Sequence, residues 1–295
     1  MKNLKFNLHI TNNCNYKCGH CFSTFEPGHN MTFQIWKNII DNLLRYIPIK
    51  EFNIAGGEPL CSDLLIPIVD YINSLNLKCS IITNGVLMDK LWIENHINKF
   101  SMVGFSIDSF DENTIKNIGR VDSENNFISF DKLLHLVKKI KKTSPQCKIK
   151  INTVVQKLNK NENINYFMKN LLQYIDRWKI FKMRFHEDKN FSNKHLDITF
   201  EEYENFFNLN FGSEFKININ NTLSEKKVLN NTIIIAEKKL GKGYFFIDPN
   251  GYLLNNSGHS HKRYINCLKL NDIIAFSKQL NGNSTVDKEL YNSRY

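Results

Sequence analysis

The sequence predicts an α/β protein built on a parallel sheet, and three observations carry that prediction. Short apolar runs alternate with amphipathic segments over the first two thirds of the chain. Each run has strand length and is rich in Ile, Val or Phe, and each is followed by a segment of helical period. Strict βα alternation demands a parallel sheet, in an open or partial barrel or a doubly wound arrangement. The chain has 295 residues, within the range of one barrel, so the reading is a large core at 1–186 with an extension at 187–295. Hydrophobic residues at 42% and 22 Phe supply a sizeable core and exclude disorder.

In order, strands are expected at Lys5–Ile10, Phe52–Ala55, Cys79–Thr83, Met102–Ile107, Ile149–Val155 and Trp178–Phe185. Helices are expected at Thr32–Arg45 behind a threonine cap, Asp63–Ser74 behind an aspartate cap, Asp89–His96, Asp111–Asn117, Phe130–Lys142 and Glu162–Tyr174. After about residue 186 the alternation stops. A helix at Phe200–Asn208 is followed by irregular chain, in which 244–254 reads as two short strands around a Pro-Asn-Gly turn.

In either architecture, chemistry collects at the carboxyl ends of the strands. Cys14, Cys18 and Cys21 follow strand one; Gly56-Gly57-Glu58-Pro59 follows strand two; Thr83-Asn84-Gly85 ends strand three. Ser106 to Ser109 end strand four, and Asn152-Thr153 lie late in strand five. All fall on one rim.

The amino terminus carries no apolar segment of signal-peptide or membrane-span length, which points to a cytoplasmic protein without a membrane partner. In a reducing compartment, 7 cysteines are thiols, metal ligands or catalytic groups rather than a disulfide framework. Cys61, Cys79, Cys147 and Cys267 have no partner spacing and read as buried small hydrophobes. A net charge of +10 favours an anionic partner: nucleic acid, an acidic surface, or a small polyanion such as a nucleotide. The densest basic run, Lys138 to Lys142, has apolar neighbours at helical spacing and is the wet face of a helix.

Cys14, Cys18 and Cys21 have C-x3-C-x2-C spacing. A structural zinc site would want a fourth ligand, and His20 is poorly placed beside Cys21. A cubane iron–sulfur cluster held by three cysteines leaves one iron open. The run CNYKCGHC resembles the cluster loop of radical S-adenosylmethionine enzymes. The resemblance implies a partial (β/α)6 TIM-like barrel with a mixed C-terminal extension, and as cofactors a [4Fe-4S] cluster and S-adenosylmethionine. It also implies an electron donor of flavodoxin or ferredoxin type. By the same resemblance Gly56, Gly57 and Glu58 meet the methionine amino group, while Thr83, Asn84, Ser106 and Asn152 lie where the family contacts ribose and carboxylate. Tyr16 and His20 belong to the loop on which the adenine rests.

Longer matches resemble one branch, viperin and its prokaryotic relatives: CNYKCGHCF, GGEP, DSFDE at Asp108–Glu112, IGR at Ile118–Arg120, KIN at Lys150–Asn152 and RWK at Arg177–Lys179. That branch abstracts the ribose 4′ hydrogen of a nucleoside triphosphate and loses the 3′ hydroxyl as water. The resulting 3′-deoxy-3′,4′-didehydro nucleotide terminates nucleic-acid chains in antiviral defence. The resemblance assigns the triphosphate to Arg120, Lys150, Arg177 and Lys179, and gives Tyr244 substrate contact or proton transfer. Guanidinium and ammonium groups suit phosphate oxygens. The branch has a polar stretch where this chain carries Ile235-Ala236-Glu237, which leaves base recognition open, and its phosphate-contacting lysine before GGEP falls near Lys50 or Glu51. His259, His261, Lys262 and Arg263 read as a solvated loop. The competing readings are another radical S-adenosylmethionine reaction, on a peptide or in guanosine triphosphate cyclisation, and a non-catalytic metal-stabilised nucleic-acid-binding module.

Overall fold

The structure is a computed structural model that describes residues 4–21, 23, 31–183, 191–212, 225–229, 231–237, 245–255 and 262–282. Its first part alternates as the periodicity demands: β1 (Leu4–His9), α1 (Phe33–Tyr46), β2 (Ile49–Ala55), α2 (Leu65–Ser74), β3 (Lys78–Thr83), α3 (Lys90–His96), β4 (Met102–Ser106), α4 (Glu112–Ile118), α5 (Phe130–Thr143), β5 (Lys148–Val155), α6 (Asn165–Leu171) and β6 (Arg177–Lys182). Thr32, Asp89, Asp111 and Ser129 each accept a backbone N–H of the first turn of α1, α3, α4 and α5.

Two helix starts differ from the sequence expectation. Helix α2 begins at Leu65, with Leu64 at its cap and no side-chain cap bond, so Asp63 does not cap it. Helix α6 begins at Asn165 rather than near Glu162, because Glu162 is engaged elsewhere. Its carboxylate accepts from Ser109 Oγ at 2.6 Å, and the Asn165 N–H donates to Asn210 Oδ1 at 2.8 Å.

The second part holds α7 (Phe200–Phe211), β7 (Glu225–Leu229), β8 (Thr232–Glu237), β9 (Phe245–Ile247), β10 (Tyr252–Asn255), β11 (Lys262–Asn266) and α8 (Leu270–Gly282). All the strands join one 11-stranded sheet in the order β11-β10-β9-β1-β2-β3-β4-β5-β6-β8-β7. Pairing is parallel from β9 through β8, and antiparallel where β10, β11 and β7 are added at the edges. The sheet therefore extends past the expected six strands. The Thr232–Glu237 run, expected to be irregular because the alternation stops after about residue 186, is a strand of this sheet. The Pro-Asn-Gly turn between β9 and β10 forms as expected: Gly251 has φ +81°, and Asp248 Oδ1 accepts from the N–H of Asn250 and Tyr252 at 2.9 Å each.

Alternation sorts the side chains of each strand into two faces. Phe6, Leu8, Phe52, Ile54, Ile149, Ile151, Trp178 and Ile180 are all buried in the hydrophobic core, as are Trp36, Ile39 and Ile40 of α1 and Leu133, Leu136, Val137 and Ile140 of α5. The opposite, inner face carries Lys5, Asn7 and His9 of β1, Glu51 and Asn53 of β2, Lys150 and Asn152 of β5, and Arg177 and Lys179 of β6. Burial, with the Arg177 charge as the smallest contribution, lowers the Lys5 ammonium from its ordinary value. Among the described residues no helix is long and apolar enough to cross a membrane.

Candidate active site

The cysteine loop leaves β1 at the carboxyl rim and is clamped from two sides by backbone. Gly57 N–H donates to Thr11 O at 2.7 Å and Glu58 N–H to Asn13 O at 2.8 Å. From the other side Lys17 N–H donates to Gly119 O at 3.2 Å and Gly19 N–H to Ile118 O at 2.9 Å. Both contacts require glycine. A Cβ on Gly57 would stand 2.2 Å from Asn13 O, and one on Gly119, whose φ is +82°, would stand 2.4 Å from Lys17 O. The GGEP and IGR segments thus form the walls between which Cys14, Cys18 and Cys21 are displayed.

Burial pushes the thiols up, Cys14 to about 11 and Cys18 to about 12, and the three groups repel one another's charge. They form one electrostatic unit. Cys61 differs from its expected place in the core: it is partly exposed, and its charge also reaches Cys14. Cys79, Cys147 and Cys267 are buried as expected.

Glu58 is 1% exposed. Its Oε1 accepts from Leu60 N at 3.1 Å and Thr83 Oγ1 at 2.7 Å, and its Oε2 from Asn84 N at 2.7 Å. Burial nonetheless wins over these bonds and pushes the carboxyl up to about 7. Asn84 Nδ2 in turn donates to Asn15 Oδ1 at 2.8 Å, tying the end of β3 to the cysteine loop. Glu58 and Thr83 therefore hold the rim together from within. Glu58→Gln would turn an amide N–H against one of the backbone donors it now satisfies. The expected result is a loss of about 1–3 kcal/mol in urea unfolding at pH 7.

Arg120, assigned by resemblance to the triphosphate, lies at the cysteine loop. Its Nε pairs with Asp108 Oδ2, and its charge acts on Tyr16, Cys18 and Cys21. His20 Nε2 stands 3.3 Å from the same Asp108 oxygen, with burial holding its pKa at about 4. Tyr16, Ser106, Asp108, Arg120, Phe127 and Ile128 line a small crevice beside the loop.

Lys150, Arg177 and Lys179 are brought together on the inner face. Lys150 stands opposite Arg177, and Asn152 opposite Lys179. Lys179 is 2% exposed and pairs with Glu237 Oε1 at 2.8 Å. Lys150 is 6% exposed and makes no ion pair among the described residues. Burial, followed by the charges of Lys179, Arg177 and Lys5, drives its ammonium well below the ordinary range. Tyr244, assigned to the substrate by resemblance, lies outside the described residues, as do His259 and His261.

Sequence reasoning missed Gly104 and Lys5 as members of this surface; it named Glu51 only as a position near a phosphate-contacting lysine of the branch and Glu237 only within a diverged stretch. A Cβ on Gly104 would meet Ile82 Cδ1 at 2.5 Å and Lys150 Cε at 3.0 Å, so glycine makes room for the lysine to lie across β4. The signal was present for Lys5, which alternates with Asn7 and His9 onto the inner face. Gly104 and Glu237 became legible only with the register.

The residues present fit the two groups that the cysteine motif calls for. A cubane bound by three cysteines takes one thiolate sulfur on each of three irons, and Cys14, Cys18 and Cys21 lie on one loop with a charge effect between their thiols. Around the loop and inner face, Tyr16 Oη, Asn15 Nδ2 and Asn152 Oδ1 are buried with no hydrogen-bond partner. Such orphaned atoms mark where a polar ligand is received.

Comparison with known proteins agrees with this site. Residues 8–169 match the model of the Radical SAM superfamily. The chain is 32% identical over 260 residues to an S-adenosylmethionine-dependent nucleotide dehydratase of Selenomonas ruminantium, covering 88% of each chain. It is 31% identical over 329 residues to one from Fibrobacter sp. (strain UWH6), covering 100% of this chain and 89% of that one. Among solved structures it is similar to native anSMEcpe with bound AdoMet, with TM-score 0.63, 18% identity, and coverage of 99% of this chain and 84% of that one. It is also similar to Streptococcus suis SuiB bound to S-adenosylmethionine, with TM-score 0.64, 16% identity, and coverage of 96% of this chain and 67% of SuiB. At those identities the structures speak for the fold alone. The chain belongs to the radical SAM superfamily and, within it, to the family of the S-adenosylmethionine-dependent nucleotide dehydratases. The superfamily's cofactors are a [4Fe-4S] cluster and S-adenosylmethionine.

Proposed function

We propose that this protein dehydrates a nucleoside triphosphate to its 3′-deoxy-3′,4′-didehydro analogue, a chain terminator with an antiviral role. One observation carries the reading: Lys150, Arg177 and Lys179 converge on the inner face, beneath a rim that displays three cysteines. Lys150, buried and without an ion pair among the described residues, is costly as a cation unless an anion joins it. A triphosphate, with nearly four negative charges, is an anion of the required size and sign.

In this reading Cys14, Cys18 and Cys21 hold the cluster, and Tyr16, His20, Gly56, Gly57, Glu58, Thr83, Asn84, Ser106 and Asn152 form the S-adenosylmethionine site. Glu58 and Thr83 act by fixing the Gly56-Gly57 backbone. Arg120, paired with Asp108 beside the loop, faces the cofactor end of the site rather than the phosphates. When bound, these cofactors supply a 5′-deoxyadenosyl radical that takes the ribose 4′ hydrogen. The protein's own part is positional: Lys150, Arg177 and Lys179 anchor the triphosphate, so that the ribose stands towards the rim and the cysteine loop. Residues 187–295 close the substrate site, since Glu237 of β8 orients Lys179 and β9 flanks β1. Tyr244, just before β9, is the candidate to contact the ribose or pass a proton to the departing 3′ hydroxyl. Electrons come from a flavodoxin or ferredoxin type donor, and the setting is the cytoplasm.

Anaerobically reconstituted protein, incubated with S-adenosylmethionine, dithionite and each of the four ribonucleoside triphosphates, tests this. The expected result is 5′-deoxyadenosine together with a nucleotide lighter by one water, for at least one base. Formation of 5′-deoxyadenosine with no change in any nucleotide would overturn the substrate assignment. Cys18→Ala is expected to lose the cluster's visible absorbance and all turnover, and a Cys18→Ala protein that kept both would remove Cys18 from the ligand set.

A further inference from the structure

We infer that Gln156, the residue that follows β5, reads the amino edge of the S-adenosylmethionine adenine: its side-chain oxygen accepts from the 6-amino group and its side-chain nitrogen donates to the neighbouring ring nitrogen. The inference rests on the cofactor site proposed above and adds to it a residue that selects the base.

Gln156 is 0% exposed, and neither its Oε1 nor its Nε2 has a hydrogen-bond partner. Among the described residues it is the one side chain that leaves a buried donor and a buried acceptor unmet together. A buried carboxamide without partners is costly, and it marks a place where a polar ligand is received. The backbone around it is complete. Gln156 N–H donates to Asn159 Oδ1 at 2.8 Å, and its carbonyl accepts from the N–H groups of Asn159 at 3.2 Å and Lys160 at 3.0 Å. Asn159, equally buried, donates its side-chain amide to Asp108 O at 2.8 Å and Val154 O at 2.9 Å. The turn is therefore well made, and only the Gln156 amide is left over.

This turn stands at the cysteine loop. Val155 packs in the core, so alternation turns Gln156 to the face of Lys150 and Asn152. Just before it, Val154 N–H donates to Asp108 Oδ1 at 2.7 Å, and the other oxygen of Asp108 stands 3.3 Å from His20 Nε2. Just after it, Lys157 N–H donates to Leu196 O at 2.9 Å. The Leu196 side chain lies against Gly19, where a Cβ would stand 2.9 Å from Leu196 Cδ1. Gln156 thus sits between two connections to the stretch from Cys18 to Cys21.

Six residues along the chain separate Gln156 from Lys150, about 20 Å at the rise of a strand. The amide belongs to the level of the cysteine loop, and of the two ligands the cofactor is the one held there. The carboxylate of S-adenosylmethionine calls for a cation and its ammonium for an anion; Gln156 is neither. A neutral carboxamide matches a neutral edge that presents a donor beside an acceptor. Adenine presents that pair, and a carboxamide meets it with two parallel hydrogen bonds. The ribose hydroxyls are the other neutral groups, but they rotate freely and need no planar fork.

Anaerobic calorimetric titration of the reconstituted protein tests this with two unreactive probes: S-adenosylhomocysteine, and the same molecule with purine in place of adenine, which lacks only the 6-amino group. The parent is expected to bind the adenine probe roughly 10- to 100-fold more tightly than the purine probe. Gln156→Met, of similar length without polar side-chain hydrogen-bonding groups, is expected to bind the two within about 3-fold of each other. Thermal unfolding of the cluster-free proteins is the second measurement. Gln156→Met is expected to melt about 2 °C or more above the parent, because it removes a buried amide that has no partner. A methionine variant that keeps the parent's preference, or a parent that shows none, overturns the role of Gln156 and leaves the cofactor site standing. A methionine variant that melts below the parent shows an amide bonded within the protein and overturns it as well. A parent that binds neither probe removes the cofactor site, and Gln156 with it.

Discussion

Lys150→Met lowers nucleoside triphosphate affinity roughly 100-fold, the loss expected for charge-assisted hydrogen bonds to phosphate, and raises the melting temperature of the ligand-free protein. These opposite effects share one cause. Lys150 is buried, makes no ion pair among the described residues, and is repelled by Lys179, Arg177 and Lys5. Gly104 leaves only enough room for its stem. Methionine has a similar length and flexibility without charge, so it fills the same channel. Replacing a buried ion with an apolar group of similar volume stabilises a fold by about 1–4 kcal/mol.

The pH dependence has a definite sign. The folded pKa of Lys150 lies below its ordinary 10.5, so in the window between the two values the unfolded chain binds more protons than the folded one. This group's contribution to stability therefore rises with pH across that window. In Lys150→Met that rise disappears. Thermal unfolding of both proteins from pH 6 to pH 10, together with triphosphate titration, checks the prediction. A methionine variant that binds triphosphate as the parent does would separate Lys150 from the substrate.

Gly57→Ala is expected to abolish cluster assembly and destabilise the fold by about 3 kcal/mol or more. The new methyl would stand 2.2 Å from Asn13 O, 2.6 Å from Asn13 C and 2.7 Å from Asn12 O. All three atoms are backbone, so no side-chain rotation relieves the contact. The same backbone immediately precedes Cys14 and is held by the bonds of Gly57 N–H and Glu58 N–H. Moving it moves the first thiol away from the other two. Iron and sulfide content after reconstitution, with urea unfolding of the cluster-free protein, measures both effects. A Gly57→Ala protein that loads iron normally would show that the cysteine loop is not set by this contact.

Much of this site was legible in the chain because the chemistry sits at strand ends, where motif and period agree. Cys14, Cys18, Cys21 and GGEP could be placed on one rim from the order of elements alone. Alternation within β5 put Lys150 and Asn152 on the face away from Ile149 and Ile151 before any register was known. What escaped depends on long-range pairing. Arg120 follows a helix, and nothing local to it says that Asp108 will draw it to the cysteine loop. Nothing local to Glu58 says that its oxygens accept from Thr83 and Asn84 at the end of β3. Glu237 meets Lys179 only because β8 joins β6 in parallel, a pairing that no helical repeat announces. Lys5 and Glu51 are 46 residues apart and become neighbours through register.

The most direct test of the central claim, abstraction of a ribose hydrogen from a nucleoside triphosphate held beneath the cysteine rim, is the fate of that hydrogen. A ribonucleoside triphosphate carrying deuterium at the 4′ carbon is given to the reconstituted protein with S-adenosylmethionine and dithionite. The 5′-deoxyadenosine formed is then weighed by mass spectrometry. The expected 5′-deoxyadenosine contains one deuterium, in proportion to dehydrated nucleotide. Unlabelled 5′-deoxyadenosine accompanying a dehydrated nucleotide would contradict it.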